Sequence, residues 1–151
     1  MPFQPVDPDF RSRVARGFEE QPFMHFIGAT LTRIDPGACD VHVPFKRELT
    51  QHHGFFHAGI VATLADNAAG FAAYTLMPAD AGVLTVEFKL NLLAPGRGEL
   101  LVARGRVIKA GRTLTVCRSD VYNRSAQEER LCATALLTMM AMPGKGAPAP
   151  E

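Results

Sequence analysis

Asp66 is the side chain least at home in its surroundings. It lies between Ala65 and Asn67 in HAGIVATLADNAAGFAAYTL, a run dominated by small and apolar residues. Aspartate is a mediocre helix former, and burying its charge unpaired costs on the order of several kcal/mol. Two readings follow. Asp66 marks one wet strip of an otherwise apolar helix, or it is held where partial desolvation makes a carboxylate more basic and more nucleophilic. The same run opens at His57-Ala58-Gly59. The first N–H groups of a helix have no partner within it and carry the positive end of its dipole, so such a start can hold a developing oxyanion. Small residues there also serve plain close packing, and the pattern alone leaves both roles open.

Other polar clusters point less sharply. His53 and His57 are spaced i, i+4, but His52 and His53 precede the helix and no H-E-x-x-H pattern accompanies them, so no metal site is expected. His57 is expected to pack or hydrogen-bond near the helix start, and His25 and His42 to be structural. Arg97, Arg104, Arg106, Lys109 and Arg112 crowd two strand-like stretches. They form either a solvated edge that discourages sheet-to-sheet pairing or a docking site for phosphates.

The elements that must position these residues are legible from periodicity. Phe10, Val14 and Phe18 form one helical stripe that Pro22 is expected to end. IGATLTRID and ACDVHVPF alternate around Asp35-Pro36-Gly37, a β-hairpin turn. Ile60, Val61, Leu64, Ala68, Phe71 and Ala72 recur at helical spacing over 57–76, a buried helix stopped before Pro78. Four strand-like runs follow at 83–93, 98–110, 112–123 and 129–142, with short connections suited to an antiparallel meander. The last run is rich in Leu and Met, as a helix would be, but its threonines and its place after three strands favour β. One sheet buries a helix apolar on opposite faces only by curling around it, and a second copy would cover the rest.

The chain of 151 residues suits one domain, with residues 1–142 as the folded unit, 1–9 a loose arm and 143–151 a disordered tail. With 16 basic and 15 acidic side chains, it has no global pull toward nucleic acid or an anionic membrane. Cys39, Cys117 and Cys132 lack C-x-x-C spacing and fit reduced thiols in a cytoplasm. The start MPFQPVDPDF lacks the basic and apolar runs of a signal peptide, and no stretch is apolar for long enough to span a bilayer.

In QHHGFFHAGIVATLADNAAG (51–70), TVEFKLNLLAPGRG (85–98) and KAGRTLTV (109–116), the chain resembles hotdog-fold thioesterases of the PaaI type, related to phenylacetyl-CoA and hydroxybenzoyl-CoA thioesterases. The resemblance implies an α+β hotdog fold, an antiparallel sheet wrapped around a long central helix. It implies hydrolysis of an acyl-CoA to a carboxylate and free CoA, with no separate cofactor. Asp66 matches the family's nucleophile or general base, and Gln51 a residue that orients the thioester carbonyl or the water. Ala58 stands where relatives carry a glycine whose N–H polarises the carbonyl oxygen, beside Gly59. Thr85 matches the hydroxyl that positions the hydrolytic water. In the family these groups meet across a dimer interface, so the expected assembly is a homodimer or a dimer of dimers, a homotetramer. Lys109 and Arg112 are the implied contacts to the CoA nucleotide. Phe55, Phe56, Phe71, Tyr74 and Leu76 line an acyl pocket or belong to the core. The rival is a non-catalytic acyl-CoA-binding or regulatory hotdog domain. Of the hydratase signatures, the Asp-x-Asn-Pro-x-His loop is absent, and His25-Phe26-Ile27-Gly28 fits H-F-x-G without the prolines that follow it in that signature.

Overall fold

The computed structural model describes residues 2–146. The chain runs α1 (Phe10–Glu19), α2 (Pro22–Ile27), β1 (Thr30–Asp35), β2 (Ala38–Pro44), a 3-10 turn (Arg47–Leu49), α3 (Ala58–Tyr74), β3 (Gly82–Leu92), β4 (Leu100–Ala110), β5 (Leu114–Arg124) and β6 (Glu129–Met142). Six antiparallel strands form one sheet in the order β1-β2-β4-β5-β6-β3, and α3 packs across it. This is the hotdog arrangement the sequence led us to expect. The Leu- and Met-rich last run is a strand, paired with both β5 and β3.

The helix α3 is held by its small residues. Ala65, Ala68, Ala69, Ala72 and Ala73 are buried, and they let the backbone of α3 approach the strands. At the closest crossing a Cβ on Gly105 of β4 would lie 2.1 Å from the Ala68 carbonyl oxygen, so only glycine fits. The helix is not covered on every side. Ala62, Thr63, Asp66, Asn67 and Gly70 are half-buried and recur at helical spacing, which makes a single partly wet strip with Asp66 on it.

Several expectations change. Pro22 does not merely end the first helix; it opens α2 at the first helical turn, where a missing N–H costs nothing, and Gly28 closes it in the left-handed region. The four late strands are not a simple meander. The connection after β3 carries the chain past β6 and β5, so β4 pairs with β2 while β3 lies on the outer edge. The arm is not loose, since Asp7 and Arg13 form a buried ion pair at 2.7 Å and Arg13 also donates to the Tyr74 and Met77 carbonyls. The start of the tail is placed too, with the Gly146 N–H donating to the Asp80 carbonyl at 2.8 Å; residues 147–151 lie outside the described part.

Among the described residues no helix is long and apolar enough to cross a membrane, and no cluster of His, Cys, Asp and Glu suits a metal ion. Burial pushes the thiols of Cys39 and Cys117 up to about 12 and that of Cys132 to about 11, so all three are inert core side chains.

Candidate active site

Asp66 faces β3. Thr85 Oγ1 donates to Asp66 Oδ1 at 2.7 Å, and no other side-chain donor reaches this carboxylate among the described residues. Partial burial raises the Asp66 pKa above the ordinary carboxylate value, and the Thr85 hydrogen bond opposes that rise without cancelling it. The strand shifts register between Thr85 and Glu87, a bulge that leaves Val86 unpaired beside Thr85. Asp66 and Thr85 line a cavity of about 220 Å³ with Gln21, Asn67, Gly70 and Phe71. Gln21 and Asn67 exchange long side-chain hydrogen bonds of 3.4 Å at its edge. Nothing in the sequence singled out Gln21, because its place follows from α2, whose opening proline reads as a stop.

Gln51 and Ala58 lie elsewhere. They line a separate, largely apolar cavity of about 510 Å³ with Phe55, Phe56, Val61 and Leu92. The loop that holds them is stitched to the β3–β4 connection by Phe56 N–H to Gly96 O at 2.8 Å, and to the 3-10 turn by His57 N–H to Leu49 O at 2.8 Å. Gln51 Oε1 accepts from the His53 N–H, which leaves its NH₂ group available as a donor.

The start of α3 separates the two expected oxyanion donors. His57 is the N-cap, and its Nδ1 accepts from the Gly59 N–H at 2.9 Å. Gly59 is therefore already engaged. The Ala58 N–H has no acceptor among the described residues, so it is the open donor at this helix end. Ala58 is among the residues that line the cavity.

Ala58 and Asp66 are eight residues apart on one straight element, about 12 Å along the axis. One chain does not bring them onto the same carbonyl. Lys109 and Arg112 are exposed at the β4–β5 turn, at the Thr85 end of the sheet, where Thr85, Met139 and Thr115 lie side by side. Of the aromatic residues considered for an acyl pocket, Phe55 and Phe56 line the Ala58 cavity and Phe71 the Asp66 cavity. Tyr74 belongs to the core, with the Arg13 guanidinium 4.2 Å over its ring. His42 is half-buried on β2, and burial together with nearby Arg124 and Arg104 lowers its pKa.

Residues 53–130 match the thioesterase superfamily. The chain belongs to that superfamily. A solved thioesterase family protein from Silicibacter pomeroyi is 46% identical and covers 89% of this chain and 99% of its own, with a TM-score of 0.88. Human acyl-coenzyme A thioesterase 13 is 30% identical over 97 residues, 64% of this chain and 69% of that protein. The 1,4-dihydroxy-2-naphthoyl-CoA hydrolase of Listeria monocytogenes is 26% identical over 106 residues, 70% of this chain and 85% of that one. This thioesterase thus carries its polar groups at two stations on one helix, a carboxylate at mid-length and an open amide at the N-terminus.

Proposed function

We propose that this thioesterase hydrolyses acyl-CoA esters with Asp66 as the reacting carboxylate. The observation that carries the reading is the Asp66–Thr85 contact: a half-buried carboxylate of raised pKa, with one oxygen held by a hydroxyl and the other open to a cavity. Such a group is a better base than a solvated aspartate. As general base it takes a proton from water, whose oxygen attacks the thioester carbon. The C–S bond then breaks and the thiolate receives that proton. As nucleophile it attacks the thioester carbon, the C–S bond breaks as the CoA thiolate leaves and takes up a proton, and water cleaves the resulting mixed anhydride to give the product acid and free Asp66. In either route the negative oxygen is met by the Ala58 N–H, with the Gln51 NH₂ group beside it.

The 12 Å gap supports an assembly of two copies. Asp66 and Thr85 of one subunit work with Gln51 and Ala58 of a second copy, two such sites per homodimer. Support comes from β3, an edge strand of eleven residues on which Leu84, Val86, Phe88 and Leu92 are exposed. An uncovered apolar edge of that length is a pairing surface. Lys109 and Arg112 sit at the Asp66 end and reach the CoA chain only from across that interface. The rival reading, a non-catalytic acyl-CoA-binding domain, has no need of a desolvated carboxylate.

The test is Asp66→Asn. Turnover of acyl-CoA esters, followed by free-thiol release, is expected to fall by about a hundredfold to ten-thousandfold. Because the raised pKa means that ionising Asp66 costs the folded state stability above that pKa, the variant should melt at the same temperature or higher at neutral pH. Parental turnover in the variant would end the assignment.

A further inference from the structure

We infer that Gln21, paired with Asn67, is a specificity-determining residue of the Asp66 site, favouring acyl groups that carry an uncharged oxygen, a hydroxyl or a keto group, close to the thioester carbon. The inference rests on the acyl-CoA reading above and names a substrate class for the same site. Gln21 lies outside residues 53–130, so it is contributed by the N-terminal helices and not by the stretch that matches the thioesterase superfamily. Its place is fixed from both sides. The Gln21 N–H donates to the Phe18 carbonyl at 3.1 Å, and the Gln21 carbonyl, at the N-cap of α2, accepts from the Met24 N–H at 3.1 Å. Helix α1 is in turn seated on α3: the Phe18 and Phe71 rings meet edge to face with centroids 5.6 Å apart, and Arg13 donates to the Tyr74 and Met77 carbonyls. Gln21 therefore reaches the Asp66 cavity from a braced corner.

The contact it makes there is reciprocal and slack. Gln21 Nε2 donates to Asn67 Oδ1 and Asn67 Nδ2 donates to Gln21 Oε1, each at 3.4 Å, against about 2.9–3.0 Å for an ordinary N–H···O bond. Each amide keeps a second N–H and a second lone pair. Two neutral amides so loosely joined exchange each other for a ligand oxygen at little cost. Asn67 directly follows Asp66 on α3, so an oxygen met by the pair lies within a few bonds of the carbon that Asp66 acts on. The rest of the lining includes Gly70, Phe71, Val83 and Leu84 and offers no cation, and Asp66 itself repels an anion. A second carboxylate on the acyl group is thus disfavoured, whereas a hydroxyl or keto oxygen is matched.

Gly70 keeps room for such a group. Glycine weakens a helix interior relative to alanine, and a Cβ at Gly70 would meet only Met139 Cε, at 3.9 Å, an ordinary contact. Packing does not require glycine there, in contrast to Gly105. The open volume one turn along α3 from Asp66 does.

The experiment measures kcat/KM by free-thiol release for butyryl-, hexanoyl- and octanoyl-CoA, each beside its 3-hydroxy counterpart, with succinyl-CoA as the charged comparison. The parent enzyme should favour the 3-hydroxy ester of each pair it cleaves by about threefold to tenfold, the worth of one neutral hydrogen bond, and should turn over succinyl-CoA slowest. Gln21→Leu keeps the bulk, removes the amide and should abolish that preference. Asn67→Ala, at a helix position that alanine suits, should abolish it too and carries the test if Gln21→Leu does not fold. Gly70→Ala should melt at the parental temperature or higher yet lose turnover in proportion to acyl size, a split that a purely structural role would not give. Equal kcat/KM within every pair in the parent would overturn the inference and leave Asp66 as the reacting carboxylate. So would a preference that survives in both amide variants, or succinyl-CoA as the best substrate. Absence of turnover on every ester would remove the acyl-CoA reading and the inference with it.

Discussion

Replacing Thr85 with valine keeps the shape of the side chain and removes one atom's chemistry. Thr85 Oγ1 is the one side-chain donor to Asp66 among the described residues, at 2.7 Å. Two influences act on that carboxylate: partial burial raises its pKa and this hydrogen bond lowers it. With the bond gone, only the raising influence remains. A hydrogen bond to a charged group is worth about 1.5–3 kcal/mol, and the lower figure is apt for a half-buried carboxylate that water partly reaches. About 1.4 kcal/mol is a tenfold change in proton affinity. The acid limb of kcat/KM against pH should therefore move to higher pH in Thr85→Val, and a rate measured on that limb should drop about tenfold from this cause alone. Thr85→Ser, which retains the hydroxyl, should hold the parental limb. The assay is free-thiol release from one acyl-CoA ester across the acid range, with melting temperature as a check on folding. A limb that stays in place, or moves to lower pH, would refute the assignment of Thr85 as the group that keeps Asp66 ionised.

Gly105→Ala forces a methyl group to within 2.1 Å of a helix carbonyl and should cost about 3 kcal/mol, roughly 10 °C in melting temperature by calorimetry. Asp7→Asn leaves Arg13 buried beside a neutral amide and should cost about 3 kcal/mol in a urea titration. Burial alone would raise the Asp7 pKa, but Arg13 and the Asp9 N–H more than offset it, so the folded value is lowered. The Asp7 contribution is thus present above the ordinary aspartate range and is lost as pH falls through the lowered value; parental protein, unlike Asp7→Asn, should shed this stability in acid. Phe88→Glu on the exposed edge should shift light-scattering mass toward the monomer and reduce turnover with it.

The central helix and its carboxylate were legible because α3 is long, periodic and interrupted by a single acid. Strand existence was legible too, down to a Leu- and Met-rich β6 identified by its threonines. Strand order was not. Short connections suggest neighbours in sequence, whereas β3 pairs with β6 at the outer edge and extends the sheet over α3, a requirement of three-dimensional burial. Pro22 misled for a local reason, since proline stops a helix from within and starts one from its first turn. The ion pair that anchors the arm joins side chains six residues apart with the help of carbonyls more than sixty residues away, which no window along the chain displays. At the site, the spacing pointed to both Ala58 and Gly59 as amide donors. In the fold, His57 turns back and occupies the Gly59 amide.

That α3 carries both stations has a bearing on how two reaction centres communicate. On the two-chain reading, the N-terminal amide of this helix serves one centre and its carboxylate serves the other. The helix is seated against β4 at Gly105 with no room for a methyl group, so its middle is held close to the sheet. A tilt induced by an acyl group at one end is then felt at the other, within the length of a few turns and without a relay of intervening side chains. Cooperativity between the paired centres would be a property of a single helix, and substrate saturation curves are where it would be seen.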